Sequence, residues 1–272
     1  MGIETLMARE ATGLIMRRPD KLKHTVGLYL ISLLDPEVSK VGRATYFFVR
    51  YMDDLLDGDR RLSNGYQVLP HIVDMRSQVE TGRFTREPKI MELAEYSLGA
   101  LQRKALAGDD PRQDFLDEID IMVFDYHRQQ DRRELSAEQL TGYYRQTFHP
   151  IHNIMLVGLG STLRAADIPT FSLCQGRVYS VEHLQFDWRV GIINIPAEVL
   201  RTAGLTSRSP YEAVRQSPVV NAWERNELQE SRTELLELQK MFRASTERVT
   251  PRIYQGLIGS MLEVANRPFP FN

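Results

Sequence analysis

Helical periodicity dominates the distribution of apolar residues along the chain. Apolar side chains recur at steps of three and four residues, the spacing of one face of an α-helix, in eight segments. These segments are residues 28–34, 44–56, 90–106, 115–124, 151–163, 171–188, 228–242 and 253–264. The alternation of apolar and polar residues that is typical of strands is nearly absent. The pattern therefore predicts an all-α protein.

Helix-breaking residues fall between the apolar segments, as at Asp35-Pro36 and Gly82. Ser136, followed three residues later by Gln139, has the spacing of a capping box and predicts a helix that begins there and runs toward Tyr143. We find no linker-like run, composition shift or repeat that divides the chain. We therefore predict a single domain over residues 1–272, a bundle of about ten helices.

The composition narrows the class of protein. Of the 272 residues, 42% are hydrophobic and 26% charged, as in ordinary globular proteins, and the net charge of −2 speaks against a nucleic-acid binder with a basic face. The single cysteine, Cys174, excludes a disulfide scaffold, and we expect it in the core. The most apolar stretch, residues 26–34, is far shorter than the roughly 20 residues of a transmembrane helix. With no recognisable sorting signal, we expect a cytoplasmic protein.

A carboxylate cluster follows the apolar residues 46–49. Asp53 and Asp57 are one helical turn apart and share a face, with Asp54 beside them. Three acids at the end of a buried helix repel one another and lose hydration, which favours a cation between them. Mg²⁺ suits carboxylate ligands, with Asp53 and Asp57 as its candidates, and Arg50 is placed to contact a phosphate group. The alternative is a solvated, acidic helix end.

A second polar constellation lies in residues 179–196. Glu182, His183 and Asp187 are at helical spacing, so the sequence predicts a weaker metal site there with Glu182 and Asp187 as ligands. The alternative is a structural pair between His183 and Asp187.

These motifs resemble those of the squalene/phytoene synthase family, at corresponding separations over residues 25–265. The carboxylate helix, from Arg43 through Tyr46, Phe47 and Arg50 to Asp57, resembles the family's first aspartate-rich helix. The other similar segments are residues 122–125, 140–144, 191–196 and 252–254. The resemblance implies an isoprenoid synthase fold with helices around a central cavity, Mg²⁺ as cofactor and an allylic diphosphate as substrate.

The sequence departs from this family at the second motif. Where the family has Asn, Arg, Asp and Asp, the chain has Tyr179, Glu182, His183 and Asp187. Two glycines of the family correspond to His149 and His152. Joining two allylic diphosphates brings about six negative charges into the site, so both acidic motifs are needed to bind enough Mg²⁺. Because only the first motif is intact in this chain, we expect it to bind a single diphosphate.

We therefore expect a Mg²⁺-dependent prenyltransferase of secondary metabolism. It would transfer the prenyl group of one allylic diphosphate to a small aromatic acceptor of the carbazole type, as in a phytoene-synthase-like branch of the superfamily. The expected catalytic residues are Asp53, Asp54, Asp57, Tyr143 and the two bases His149 and His152. The expected substrate-binding residues are Arg50, Tyr46, Phe47, Phe186 and Tyr254.

Four alternatives remain open. His149 and His152 would instead form a packed core pair. The enzyme would be a head-to-head synthase in which Glu182 and Asp187 replace the lost acids, or a cyclase acting on one diphosphate. The chain would otherwise be a non-catalytic helical scaffold. The sequence also leaves peripheral contact with a membrane surface open.

Overall fold

The computed structural model describes residues 2–62, 66–85 and 87–267. Within these ranges the chain forms thirteen α-helices and no strand, which confirms the all-α class and exceeds the expected count of about ten helices. None of these helices combines the length and the apolar composition needed to cross a membrane.

Seven helices begin in the first 140 residues. They are α1 (Ile3–Arg17), α2 (Leu22–Leu30), α3 (Pro36–Leu56), α4 (Val68–Thr81), α5 (Met91–Lys104), α6 (Pro111–Asp131) and α7 (Ala137–Leu159). Six more follow. They are α8 (Pro169–Glu182), α9 (Leu184–Val190), α10 (Ala197–Thr202), α11 (Tyr211–Gln216), α12 (Pro218–Ala244) and α13 (Thr250–Ala265). Short 3₁₀ turns occur at Pro19–Lys21, Ile31–Leu33 and Ala165–Asp167.

Two helix starts follow directly from capping chemistry. Asp35 caps α3, because its Oδ1 accepts a hydrogen bond of 3.0 Å from the Val38 N–H, and Pro36 occupies the first helical position. At α7 the Ser136 N–H donates to Gln139 Oε1 at 2.9 Å, and the Gln139 N–H donates to Ser136 Oγ at 3.1 Å. This reciprocal pair confirms the predicted capping box.

The chain divides into two compact units. Unit 1 comprises Met1–Val123 and Asn153–Thr162, and unit 2 comprises Phe124–His152 and Leu163–Asn272. The divisions fall inside α6 and α7, so each of these helices contributes residues to both units. The single domain over residues 1–272 stays a prediction.

The core of unit 1 is built on α3, which packs chiefly against α5 and also contacts α1. Phe47, Phe48 and Met52 of α3 are buried, and Phe48 stacks on Phe115 with ring centroids 5.7 Å apart. This packing holds the end of α3 that carries the carboxylates.

The core of unit 2 is built on α12, which packs against α8 and α13. Phe171, Phe242 and Tyr254 are fully buried, and the ring of Tyr254 lies within 5 Å of both others, centroid to centroid. Cys174 is buried beside them on α8, which confirms its expected place in the core.

Candidate functional site

The carboxylate cluster lies on the last turn of α3 and differs in exposure from one acid to the next. The side chain of Asp54 is 1% exposed, that of Asp53 is 34% exposed, and Asp57 is exposed. Asp54 therefore points inward, Asp53 is half-buried, and Asp57 faces solvent.

Arginines supply the positive charge next to these acids. Arg17 Nη2 donates a 2.8 Å hydrogen bond to Asp54 Oδ2, and Arg50 Nε lies 2.7 Å from Asp54 Oδ1. Arg50 Nη1 also donates to Asp53 Oδ2. The sequence predicted Arg50 as a phosphate contact and did not identify Arg17, which comes from α1. Two guanidinium groups thus provide part of the positive charge that the sequence analysis assigned to a metal ion.

More ion pairs surround this centre. Arg18 contacts Asp59 at 2.6 Å, and Arg60 contacts Glu10 at 2.5 Å. The guanidinium of Arg60 also lies over the ring of Tyr51, 4.4 Å from the ring centroid. The end of α3 is therefore a network of alternating charges that links it to α1.

Some donors in this network are left without hydrogen-bond partners. Arg17 Nε and Arg50 Nη2 are buried, and no residue in the described part of the chain accepts a hydrogen bond from either. Asp59 Oδ2 lies 3.8 Å from Arg50 Nη2, which is too far for a hydrogen bond. A buried N–H without an acceptor is unfavourable, so these donors are suited to an anionic ligand.

Arg50 compensates the negative charge of Asp53 only in part. Burial among its neighbours, followed by repulsion from the Asp57 carboxylate, raises the pKa of Asp53 to about 6, although Arg50 opposes the rise. A carboxylate whose ionised form is disfavoured in this way gains from an added cation. Asp53 and Asp57 are therefore the acids of this cluster best suited to hold one.

No ready-made metal centre occurs in the described ranges, since nowhere do three or more His, Cys, Asp or Glu side chains converge on one point. Mg²⁺ is commonly bound through one or two carboxylates together with substrate phosphates. The pair Asp53 and Asp57 fits that mode of binding, and it does not fit a metal held by protein ligands alone.

Unit 1 also contains an apolar groove of about 430 Å³ between α1 and the region of α2. Its lining residues are Ala8, Ala11, Thr12, Ile15, Thr25, Val26, Tyr29, Leu30, Ser32 and Leu33. Two of the aromatic residues expected to contact substrate lie on α3 and do not line this groove: Phe47 is buried in the core, and Tyr46 packs edge-on against it at 5.5 Å.

A second, smaller pocket of about 140 Å³ lies within unit 2. Its lining residues are Tyr143, Tyr144, Phe148, Gly176, Tyr179, Ser180, His183, Asp187, Ile192 and Asn194. Three separate segments that the sequence analysis singled out, residues 140–144, 179–187 and 191–196, thus meet around one cavity.

A buried arginine supports the polar wall of this pocket. Arg128 on α6 is fully buried, and its Nη2 donates to Ile193 O at 2.5 Å and to Asn194 Oδ1 at 2.6 Å. Asn194 Nδ2 in turn donates to Asp187 Oδ2 at 2.9 Å. Charges alternate over residues 128–133, a pattern that usually indicates a solvated helix end, but Arg128 is buried.

Tyr143 joins the same network from α7. Its hydroxyl donates to Asp125 Oδ2 at 2.7 Å, and the Arg128 guanidinium lies 4.6 Å from its ring centroid. Burial, reinforced by the Asp125 carboxylate, raises the pKa of Tyr143 well above its ordinary value. Tyr143 therefore stays a phenol and acts as a hydrogen-bond donor.

Close packing of α7 on α8 shapes another wall. A Cβ atom at Gly176 would lie 2.3 Å from the Tyr144 ring, so only glycine permits this contact. At the end of α9, Gly191 has φ +97°, and a Cβ there would lie 2.6 Å from the Gln129 carbonyl oxygen. Both glycines are required by geometry.

His152 lies in the aromatic core of unit 2. Its Nε2 is 2.7 Å from Gln175 Oε1, its Nδ1 is 3.2 Å from the Tyr254 hydroxyl, and its ring packs edge-on against Phe171 at 4.6 Å. Burial lowers the pKa of His152 to about 4, so the imidazole is neutral. The structure thus places His152 and Tyr254 in packed core contacts, and neither lines the pocket. His149 is half-buried, and burial, together with the Arg145 charge, lowers its pKa as well.

The residues expected in the second motif do not all lie at the pocket of unit 2. Glu182 pairs with Arg267 at 3.1 Å and lies 4.0 Å from His183 Nε2, and it does not line the pocket. Phe186 is 53% exposed, which does not suit the wall of a dry cavity. Of this motif, Tyr179, His183 and Asp187 reach the pocket.

Comparisons with known proteins identify no relative. No family model, no curated protein and no solved structure matches the chain. The resemblance to the squalene/phytoene synthase family therefore depends on the quoted residues and their spacing alone.

Proposed function

We propose that the chain is a Mg²⁺-dependent prenyltransferase with an isoprenoid synthase fold. It takes one allylic isoprenyl diphosphate, transfers the prenyl group to a small aromatic acceptor of the carbazole type and releases diphosphate. The proposal draws on the family resemblance, the all-α fold and the charges at the end of α3.

The observation that carries the proposal is that buried guanidinium donors without an acceptor lie next to a carboxylate whose pKa is raised. Arg17 Nε and Arg50 Nη2 are buried without an acceptor in the described ranges, and the pKa of Asp53 is raised beside Asp57. A diphosphate offers oxygen acceptors to the guanidinium groups, and a divalent cation offsets the carboxylates. A magnesium diphosphate meets both needs at once.

Each residue then has a defined task. Asp53 and Asp57 would hold Mg²⁺, which when bound supplies charge stabilisation to the departing diphosphate. Arg50 and Arg17 bind and orient the phosphate oxygens. Asp54, buried and paired with both arginines, keeps the two guanidinium groups in position.

The apolar groove of unit 1 supports the binding of a prenyl chain. Its volume of about 430 Å³ falls within the roughly 300–1,000 Å³ that is usual for ligand pockets. Ile15, which lines the groove, lies on α1, the helix that also supplies Arg17 to the charged cluster. Unit 1 thus offers an apolar groove for an isoprenoid tail as well as a charged cluster for a diphosphate.

Calorimetry with inorganic pyrophosphate tests the site directly. We expect the wild-type protein to bind pyrophosphate with Mg²⁺ and at least tenfold more weakly without it. Asp53→Asn should weaken the Mg²⁺-dependent binding at least tenfold, because it removes a metal ligand. Asp117→Asn, which changes an exposed acid of α6, serves as the matched control and should bind as the wild type does.

Two results would contradict the proposal. If the folded wild-type protein binds no pyrophosphate in the presence of Mg²⁺, the chain is a scaffold whose arginine–carboxylate network is purely structural. If the protein converts farnesyl diphosphate alone, with Mg²⁺, into a presqualene or squalene-like product, the single-donor reaction is wrong and the head-to-head alternative holds.

A further inference from the structure

Two guanidinium groups of unit 1 lie next to the same carboxylate oxygen. Arg18 Nη1 donates a 2.6 Å hydrogen bond to Asp59 Oδ2, and Arg50 Nη2 lies 3.8 Å from the same atom. Two cations this close to one oxygen atom repel each other, so an anion between them is stabilising. Within the chain itself, the Asp59 carboxylate supplies that anion.

The contact between Asp59 and Arg50 is incomplete. A separation of 3.8 Å exceeds the length of a hydrogen bond, and it is shorter than the roughly 5 Å that a bridging water molecule needs. Arg50 Nη2 is buried, and it has no acceptor in the described part of the chain. The carboxylate therefore covers this donor without accepting a hydrogen bond from it. A ligand oxygen can bond to Nη2 only after a neighbouring side chain moves.

The Asp59 side chain is placed to make that movement. Asp59 lies beyond the end of α3, in the turn after Gly58, whose φ of +80° takes the backbone out of the helix. The N–H of the next residue, Arg60, donates to the Asp54 carbonyl at 2.8 Å and holds the backbone of this turn. The side chain of Asp59 is 32% exposed, so it can rotate toward solvent while the backbone stays in place.

We infer that Asp59 is an internal competitor of the diphosphate. Its carboxylate occupies the place of a phosphate oxygen between Arg18 and Arg50, and it turns away when the ligand binds. Arg18 then becomes a further phosphate-binding residue, in addition to Arg17 and Arg50. The inference rests on the proposed binding of a magnesium diphosphate at this cluster, and it names the residue that limits the affinity of that site.

The physical basis is a competition between two anions for the same donors. A phosphate group carries more negative charge than a carboxylate and offers more acceptor oxygens, so it is the better partner for two guanidinium groups. Binding it nevertheless requires that the ion pair between Arg18 and Asp59 be broken, and the displaced carboxylate still repels the ligand. Both effects lower the affinity. Asparagine has nearly the same size as aspartate and removes both.

Calorimetry with inorganic pyrophosphate tests the inference, both with Mg²⁺ and without it. We expect Asp59→Asn to bind pyrophosphate at least fivefold more tightly than the wild type under both conditions. The measurement without Mg²⁺ isolates the contacts with the arginines. A metal ligand would behave in the opposite way, because its loss weakens binding when Mg²⁺ is present.

A second variant tests the part of Arg18. Arg18→Gln should weaken pyrophosphate binding at least fivefold, because it removes a charged phosphate donor. Adding Asp59→Asn to Arg18→Gln should then tighten binding by less than twofold, since the carboxylate has already lost the partner that holds it between the guanidinium groups. Non-additivity of this kind is expected of two residues in direct contact.

The matched control is Asp120→Asn. Asp120 also belongs to unit 1 and pairs with an arginine, Arg76, at 2.6 and 2.8 Å. Its replacement changes the net charge of the protein by the same amount as Asp59→Asn, so binding within twofold of the wild type is expected. Circular dichroism and thermal unfolding establish that each variant is folded. Asp59→Ser, which also removes the charge, replaces Asp59→Asn if the latter does not fold.

Three outcomes would overturn the inference in a wild-type protein that binds pyrophosphate with Mg²⁺. One is that Asp59→Asn binds pyrophosphate no more tightly than the wild type when Mg²⁺ is absent. Another is weaker binding by Asp59→Asn only with Mg²⁺, which would make Asp59 a metal ligand. A third is equal tightening by Asp59→Asn and Asp120→Asn, which would indicate a general effect of net charge. A wild-type protein that binds no pyrophosphate with Mg²⁺ contradicts the proposed function and the inference together, so the two failures are distinct.

Discussion

Buried charge at single residues organises both candidate sites. Arg50 contacts Asp53 and Asp54 on its own helix, whereas Arg128 reaches Asn194 from a distant part of the chain. Removing one partner of such a buried pair leaves an uncompensated charge, which commonly costs about 3–5 kcal/mol. These residues therefore combine a structural role with the orientation of the groups beside them.

Asp114 on α6 offers a test of buried charge away from both sites. Burial raises the pKa of Asp114 to about 7, although the Asn153 amide opposes the rise by donating to its Oδ1 at 3.1 Å. The folded protein therefore binds more protons than the unfolded chain between about pH 4 and pH 7. As a result, the free energy of unfolding falls as the pH rises through that window.

Asp114→Asn should remove this loss. At pH 8 we expect the variant to be more stable than the wild type by about 1–3 kcal/mol, because the amide keeps the hydrogen bond from Asn153 without a buried charge. Near pH 4.5 the difference should approach zero. Urea unfolding at the two pH values measures this, and equal stability of both proteins at pH 8 would contradict it.

At the scale of helices, capping chemistry fixes where several elements begin. Replacing Ser136 with Ala removes the acceptor for the Gln139 N–H at the start of α7. We expect Ser136→Ala to lower the free energy of unfolding by about 1 kcal/mol, as measured by urea denaturation.

The matched control is Ser260→Ala on α13, since this exposed serine donates only to the Leu257 carbonyl of its own helix. That change should alter stability by less than about 0.5 kcal/mol. Equal losses in the two variants would show that the box at Ser136 contributes nothing specific.

The differences between the expected and observed helices have local causes. The apolar spacing predicts one helix over residues 171–188, but the chain forms two, α8 and α9, with a break at His183. The spacing does not reveal this break, because the backbone changes at one residue only. Pro70 looks like a helix breaker, but it lies in the first turn of α4, where proline is tolerated. The eight predicted segments do not include α1, although the spacing of its buried residues Leu6, Met7, Ala11 and Leu14 is helical.

At the scale of the whole molecule, each candidate site is built from the residues of one unit. The arginine–carboxylate cluster belongs to unit 1, and the aromatic pocket belongs to unit 2. Asp187→Asn, a change in unit 2, should therefore leave Mg²⁺-dependent pyrophosphate binding within twofold of the wild type. Calorimetry on this variant tests the prediction, and a tenfold change in affinity would contradict it.

The sequence by itself determined the features that depend on near neighbours. These are the all-α class, the helix boundary at Asp35-Pro36, the capping box at Ser136 and the core position of Cys174. Each follows from the helical repeat, from hydrogen bonds within one turn or from side-chain polarity.

Only the tertiary structure decided which charges meet. Arg17 pairs with Asp54 across 37 residues, and Arg128 contacts Asn194 across 66. The tertiary structure also shows that His152 and Tyr254 lie in the core and that Asp187 lines an aromatic pocket. Such pairings depend on how helices pack, because the energy of a buried charge is set by its neighbours in space, which no local pattern records.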